Sequence, residues 1–337
     1  MSFKESSEAV FSESPGKTAF RKLRKDKRSL VALTILFSVI VLSFAAPIYA
    51  KYIAHTDPFK SNLNGTISIN GKDVQLLQPS TTGLGLGVTP IGPTWNPTKY
   101  FLGSDSQGRD VAARLLYGGR STLIIGTSAG LLCVLLSLLI GIFAGYRRGW
   151  LDSVLSRLLD IIWAFPVYLL AISLSVVLLT SGLSFGFIHF GPGSFALPIF
   201  IIGIVYIPYV ARPIRAQVLA LREREFVRAA IGTGAKHSTI VFREIFPNVM
   251  PSVIVFIPII VSLSMLTESA LSFLSIGVQP PAASWGTIIN DGLALLYTRP
   301  FVGIAPGLMI VLTAAALNLY GDAVRDAMDP KSRGRAE

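Results

Sequence analysis

Apolar residues fall in long blocks along most of this chain and alternate with polar ones only briefly. Residues 30–50 contain no charge, and neither do residues 121–146. Each block matches the roughly 20 residues a helix needs to cross a hydrocarbon core. Between 161 and 211 there is again no Lys, Arg, Asp or Glu. The glycines and prolines of "TSGLSFGFIHFGPGSFALP", 180–198, divide that run into two spans. A fifth span covers 248 to about 276, interrupted only by Glu268, and a sixth covers 300–321. The pattern predicts an all-α polytopic membrane protein with six transmembrane helices.

Two polar stretches break this pattern. "TISINGKDVQLLQ", 66–78, alternates around Asn70-Gly71, a two-residue hairpin signal, and predicts a small β-hairpin insert followed by a Gly/Pro-rich loop. "EFVRAAIGTGAKHSTIVFREIFPN", 225–248, predicts two short helices with a glycine joint. Gly232 and Gly234 can end the first helix in left-handed geometry. Ser238 can cap the second, Phe242 and Phe246 stack at i,i+4, and Pro247 closes the unit. Such a knob suits docking to another protein.

Composition agrees with a membrane protein: 51% of residues are hydrophobic, 15% charged, and mean hydropathy is +0.59. Soluble domains carry about 25% charged residues. The net charge of +11 raises nucleic acid as a partner, and its distribution answers the question. Placing both termini in the cytoplasm gives 22 Lys and Arg inside and eight outside, a positive-inside pattern with no nucleic-acid motif beside it. The expected organisation is a cytoplasmic basic tail, 1–29; a first span, 30–50; and an external segment with the hairpin, 51–120. A five-helix core, 121–321, contains the cytoplasmic loop 212–247, and a cytoplasmic tail, 322–337, ends the chain. The first apolar block exceeds the h-region of a signal peptide, so an uncleaved anchor is expected. Residues 17–29 suit a basic helix on anionic lipid headgroups.

Several chemistries find little support. "FSESPGKT", 11–18, ends like a phosphate-binding loop, but Phe11 stands where glycine is required and no strand precedes it; a disordered tail is expected. The single cysteine, Cys133, allows no intrachain disulfide. His55, His189 and His237 are scattered, without H-E-x-x-H, and His237 is expected at the surface. Ionisable groups within spans are functional candidates, here Glu268, Asp160 and His189. Asp160 and His189 fall near span ends. Glu268, beside Ser264, Thr267 and Ser272, is expected to be a satisfied carboxylate or a contact in a translocation path or gate. A proton-coupled secondary transporter using Glu268 remains the alternative.

The stretch 225–248 resembles the cytoplasmic EAA loop of permease subunits of ABC importers, whose pattern is Glu-Ala-Ala, three residues, Gly, nine residues, Ile-x-Leu-Pro. Ala229, Ala230, Gly234 and Pro247 fall in register. Arg228, Glu244 and Phe246 replace the glutamate, isoleucine and leucine, as in the second permease of dipeptide, oligopeptide and nickel importers. "FLGSDSQGRDVAARLLYGGRSTLIIG" (101–126), "AGYRRGWLDSVLSRLLDIIWAFP" (144–166), "TESALSFLSIGVQPPAASWGTIINDG" (267–292) and "NLYGDAVRDAMDP" (318–330) are similar to the same branch. The resemblance implies the type I importer arrangement in a bacterial inner membrane. It implies a second homologous permease, two ATPase subunits that bind ATP and Mg, and an external binding protein. This chain would bind no cofactor and catalyse no reaction. Arg228, Ala229, Ala230, Gly234, Lys236 and Pro247 would dock the ATPase through a coupling helix. Peptides lead as substrate, with nickel, other metal chelates, glutathione and glycosides open.

Overall fold

A computed structural model describes residues 15–69, 71–80, 87–185, 188–191 and 193–328. The tail before Pro15 and the C-terminal tail after Met328 lie outside the described residues. The described residues are mostly helical, with three small two-stranded sheets among them.

The N-terminal elements are α1 (Pro15–Lys25) and α2 (Lys27–Phe44). Asp26 separates them because its carboxylate accepts from the amides of Arg28 and Ser29, at 3.1 and 3.3 Å, and so caps α2. The helix expected from residue 17 is present as α1, which starts earlier, at Pro15, and takes in the end of the stretch expected to be disordered. Helix α1 also lies against the last helix of the chain, described below. The first span ends at Phe44. Pro47 supplies no amide to continue the ladder, and the chain bends through α3 (Ala46–Ile48) and a π-turn, Tyr49–Ile53.

The segment that follows folds on itself. Strands β1 (Thr66–Ile69) and β2 (Lys72–Gln75) pair antiparallel with Ile69 opposite Lys72, and Gly71 has φ +77° at the turn. The stretch expected to be loop contributes a second pair, β3 (Leu77–Pro79) with β4 (Val88–Pro90). Leu76, Ile91 and Tyr100 form the small core beneath.

Helix α4 (Val111–Arg147) is a single helix of 37 residues that starts well before the apolar block. Asp110 caps it by accepting from Ala112 and Ala113, at 2.9 and 3.1 Å. The stretch expected to be the third span is two helices, α5 (Trp150–Ala164) and α6 (Val167–Ser181), bent by 91°. Phe165 precedes proline and is extended (φ −93°, ψ 140°), which ends α5. Strands β5 (Leu183–Phe185) and β6 (Ile188–Phe190) fill the glycine-rich break. Next come α7 (Ala196–Val205) and α8 (Ile207–Arg222), bent by 44°.

The polar loop yields α9 (Glu225–Gly232). Then α10 (His237–Thr239), a π-turn (Ile240–Ile245) and α11 (Phe246–Phe273) run on as one 37-residue helix. Helices α12 (Trp285–Leu293) and α13 (Phe301–Met328) complete the chain. Among the described residues, four helices are long and apolar enough to cross a membrane alone, or up to six spans if each bent pair is one.

Helix α4 is the centre, with α8, α11 and α7 packed around it. Small residues permit this. A Cβ on Gly130 would lie 2.9 Å from the Cα of Val261 in α11, and one on Gly141 would lie 2.6 Å from Cγ2 of Ile214 in α8. Close helix approach is therefore what the small residues along α4 provide.

Candidate functional site

The loop between α8 and α11 is built around one short amphipathic helix. Val227 is its anchor, fully buried in the main core, with Ala230 half-buried against the same cluster. The rest of α9 faces outward: Phe226 (41% exposed), Arg228, Ala229, Ile231 and Gly232. At its end Gly234 donates to the carbonyl of Ile231 and Ala235 to that of Ala230, at 3.0 and 3.1 Å. Gly234 has φ +77°, so the left-handed turn belongs to it; Gly232 is the last helical residue.

The second half of the loop differs from the expected separate helix. Lys236, exposed, is the N-cap residue of α10 without a side-chain bond, while Ser238 lies inside the helix. Phe242 is 69% exposed and makes no ring contact with Phe246 among the described residues. The π-turn is the reason, since it changes the i,i+4 spacing on which stacking depended. Pro247 lies just after the π-turn of this continuous helix and does not close the unit: Phe246 donates back to the carbonyl of Val241, and the wider turn accommodates the amide that proline lacks. The candidate docking residues Arg228, Ala229, Ala230, Gly234 and Lys236 thus collect at α9 and its exit, while Pro247 belongs to the following helix.

Residues without a sequence signal hold this loop. Glu223, at the C-cap of α8, takes Arg148 on Oε1 at 2.6 Å and Arg228 on Oε2 at 2.8 Å. The hydrogen bond from Arg228, then that from Arg148, keeps its carboxyl below the usual range. Arg222 donates to the Tyr146 carbonyl at 2.8 Å, and the Tyr146 hydroxyl is 2.7 Å from Nδ1 of His237. His237 is at the surface, as expected. Farther along, Arg215 makes two hydrogen bonds to Asp152, one of 2.7 Å to Oδ2, and Arg212 meets Asp160 at 2.6 Å. Asp160 is therefore ion-paired.

Glu268 lies elsewhere, in α11, and is fully buried. Ser272 donates to its Oε1 at 2.7 Å and Ser269 to its Oε2 at 3.4 Å; the hydroxyls of Thr122 and Ser284 also face it. Ser272 in turn accepts from the amide of Val278, and Thr122 from that of Trp285. The carboxylate thus joins α11, α4 and the start of α12. At the same end of the molecule a second charged cluster ties the hairpin segment to α12. Arg109 and Arg114 both donate to Oδ2 of Asp291, at 2.9 and 2.8 Å, and Arg109 also pairs with Asp105 at 2.7 Å. A cleft of about 540 Å³ opens beside this cluster, lined by polar side chains including Gln279, Asn290 and Asp291. Among the described residues, no group of three or more His, Cys, Asp or Glu is arranged to hold a metal ion.

Comparison with known proteins follows this division of the chain. Residues 137–334 match the family described as "Binding-protein-dependent transport system inner membrane component". Residues 14–68 match "N-terminal TM domain of oligopeptide transport permease C". The chain is 32% identical over 321 residues to the dipeptide transport system permease protein DppC of Alkalihalophilus pseudofirmus, covering 95% of this chain and 91% of that one. It is 32% identical to the oligopeptide transport system permease protein OppC of Bacillus subtilis, covering 94% and 90%. It is 37% identical over 232 residues to the glutathione transport system permease protein GsiD of Pectobacterium atrosepticum, covering 69% and 73%. In fold, it superposes on a chain of the inward-facing MetNI methionine ABC transporter with a TM-score of 0.50 at 17% identity, covering 64% of this chain and 96% of that one.

Proposed function

Because the chain belongs to the family of binding-protein-dependent transport system inner membrane components, as a permease of the ABC peptide-importer kind, we propose that it forms half of a translocation path for small peptides. A second, homologous permease forms the other half, and an external binding protein delivers the solute. Two ATPase subunits bind ATP and Mg and dock on the loop 212–247. Both termini and that loop lie in the cytoplasm, and the segment 51–120 lies outside; the distribution of Lys and Arg supports this orientation.

One observation carries the docking assignment. Helix α9 buries little besides Val227 and leaves Phe226, Ala229 and Ile231 facing outward at a polar end of the molecule. An apolar surface of this kind, rimmed by Arg228 and Lys236, fits a partner's cleft. Ala229, Ala230 and Gly234 allow the partner's backbone to approach, and Pro247 starts the helix that follows. Glu268 we read as a fastening carboxylate: a proton carrier needs its group open to water, and complete burial among hydroxyls supports the structural role. The substrate class comes from the relatives, whose names specify dipeptides, oligopeptides and glutathione.

The test is to tag the chain, extract it in mild detergent and identify co-purifying proteins by mass spectrometry. A second permease and ATPase subunits are expected, with the ATPases lost from Ala229→Trp while the second permease remains. Recovery of the chain alone, catalysing uptake in liposomes without ATP, would overturn the reading.

A further inference from the structure

The docking helix has a joint at each end: the non-helical link at Glu223 and Arg224, and the left-handed turn at Gly234. Val227, buried in the main core, pins the middle of α9, and polar contacts from the C-terminal end of α4 oppose a swivel about the two joints. Before α9, Arg222 and Glu223 hold the Tyr146 carbonyl and the Arg148 guanidinium; after it, His237 holds the Tyr146 hydroxyl. The grip thus spans α9 from both sides. Arg228, on α9 itself, shares Glu223 with Arg148.

We propose that Tyr146 and Arg148 are positioning residues that lock the docking helix to the α4–α8 pair, so that an ATPase pulling on α9 moves both helices instead of turning α9 on its joints. This rests on the docking assignment above and extends it to residues that lie off the docking face. Close packing then carries the displacement onward. A Cβ on Gly145 would lie 2.8 Å from Val218, so α4 and α8 are in contact right up to the grip. The ion pairs are half-exposed, with side chains of Arg148 and Glu223 at 46% and 47%, and such pairs add little to folding. Their removal should therefore loosen transmission and leave assembly intact.

The experiment uses the whole transporter, purified with its ATPases, and needs no knowledge of the solute. A spin label is placed at Leu135→Cys on the exposed face of α4, in a Cys133→Ser background that removes this chain's single thiol, and the labelled chain is then assembled with unlabelled partners. The label's spectrum is compared before and after trapping with MgATP and vanadate. In the parent a spectral change is expected. In Tyr146→Phe and Arg148→Ala, the change should shrink roughly two- to thirtyfold, the range of mutational coupling effects, while the ATPases remain bound and turn over. Arg148→Lys, which keeps the charge, should retain most of it. A change of parental size in both variants would overturn the proposal. So would loss of the ATPases from either variant, which would make these residues part of assembly. Absence of ATPases from the parent complex would instead remove the docking assignment itself.

Discussion

Gly234 is the residue at which side-chain chemistry matters least and backbone geometry most. A Cβ added there would meet nothing within 4 Å, so Gly234→Ala incurs only the left-handed penalty of about 1–2 kcal/mol. Thermal melting of the detergent-solubilised chain should show that small loss, whereas a leucine there should also abolish ATPase co-purification. Glu268 is the opposite case. Glu268→Leu leaves the Ser272 hydroxyl buried without its acceptor and should cost about 1–3 kcal/mol, with Glu268→Gln much milder. Retained uptake in Glu268→Gln would agree with a fastening role, and its abolition with a role in the path. The sequence named these two residues because glycine spacing and an isolated intramembrane carboxylate are local signals. Tyr146, Arg148 and Glu223 were silent, since their contacts join positions as far apart as 146 and 237.

Elements were legible where the cause of their ends lies nearby in the chain. The hairpin at Asn70-Gly71 was, and the division of the long apolar run at its glycines was. The 91° bend between α5 and α6 was not read, although Pro166 is its cause, because apolar composition counts residues and carries no direction. The continuity of α10, the π-turn and α11 was hidden for another reason: Pro247 looks like a stop, yet it follows a π-turn that accommodates its missing amide. Packing between elements gives a prediction at this scale. Gly130→Ala would place its Cβ 2.9 Å from the backbone of Val261, and backbone cannot swing aside. Forcing α4 and α11 apart should cost about 1–3 kcal/mol, seen as a lower melting temperature, and Gly130→Leu should not accumulate in membranes.

At the scale of the molecule, two polar fastenings lie at opposite ends of α4: the Arg109–Arg114–Asp291 cluster near its start and the Tyr146–Arg148 grip at its finish. Asp291→Asn removes a charge shared by two buried arginines and should release the hairpin segment from α12, increasing protease cleavage there before the spans unfold. Unchanged cleavage would show that β-pairing and the Leu76 core suffice. The α-helical class followed from the apolar blocks, but the single helix linking these ends did not, because α4 starts in a polar stretch. Its length has a further consequence. Thirty-seven residues at 1.5 Å each make about 55 Å, against about 30 Å of hydrocarbon. Helix α4 is therefore a rod that outreaches the bilayer, and if it turns about its packed middle, a sideways displacement of one tip appears at the other with its sense reversed. On the proposed function, binding-protein arrival outside and nucleotide closure inside would act as two hands on one lever, with the close-packed glycine region as its pivot.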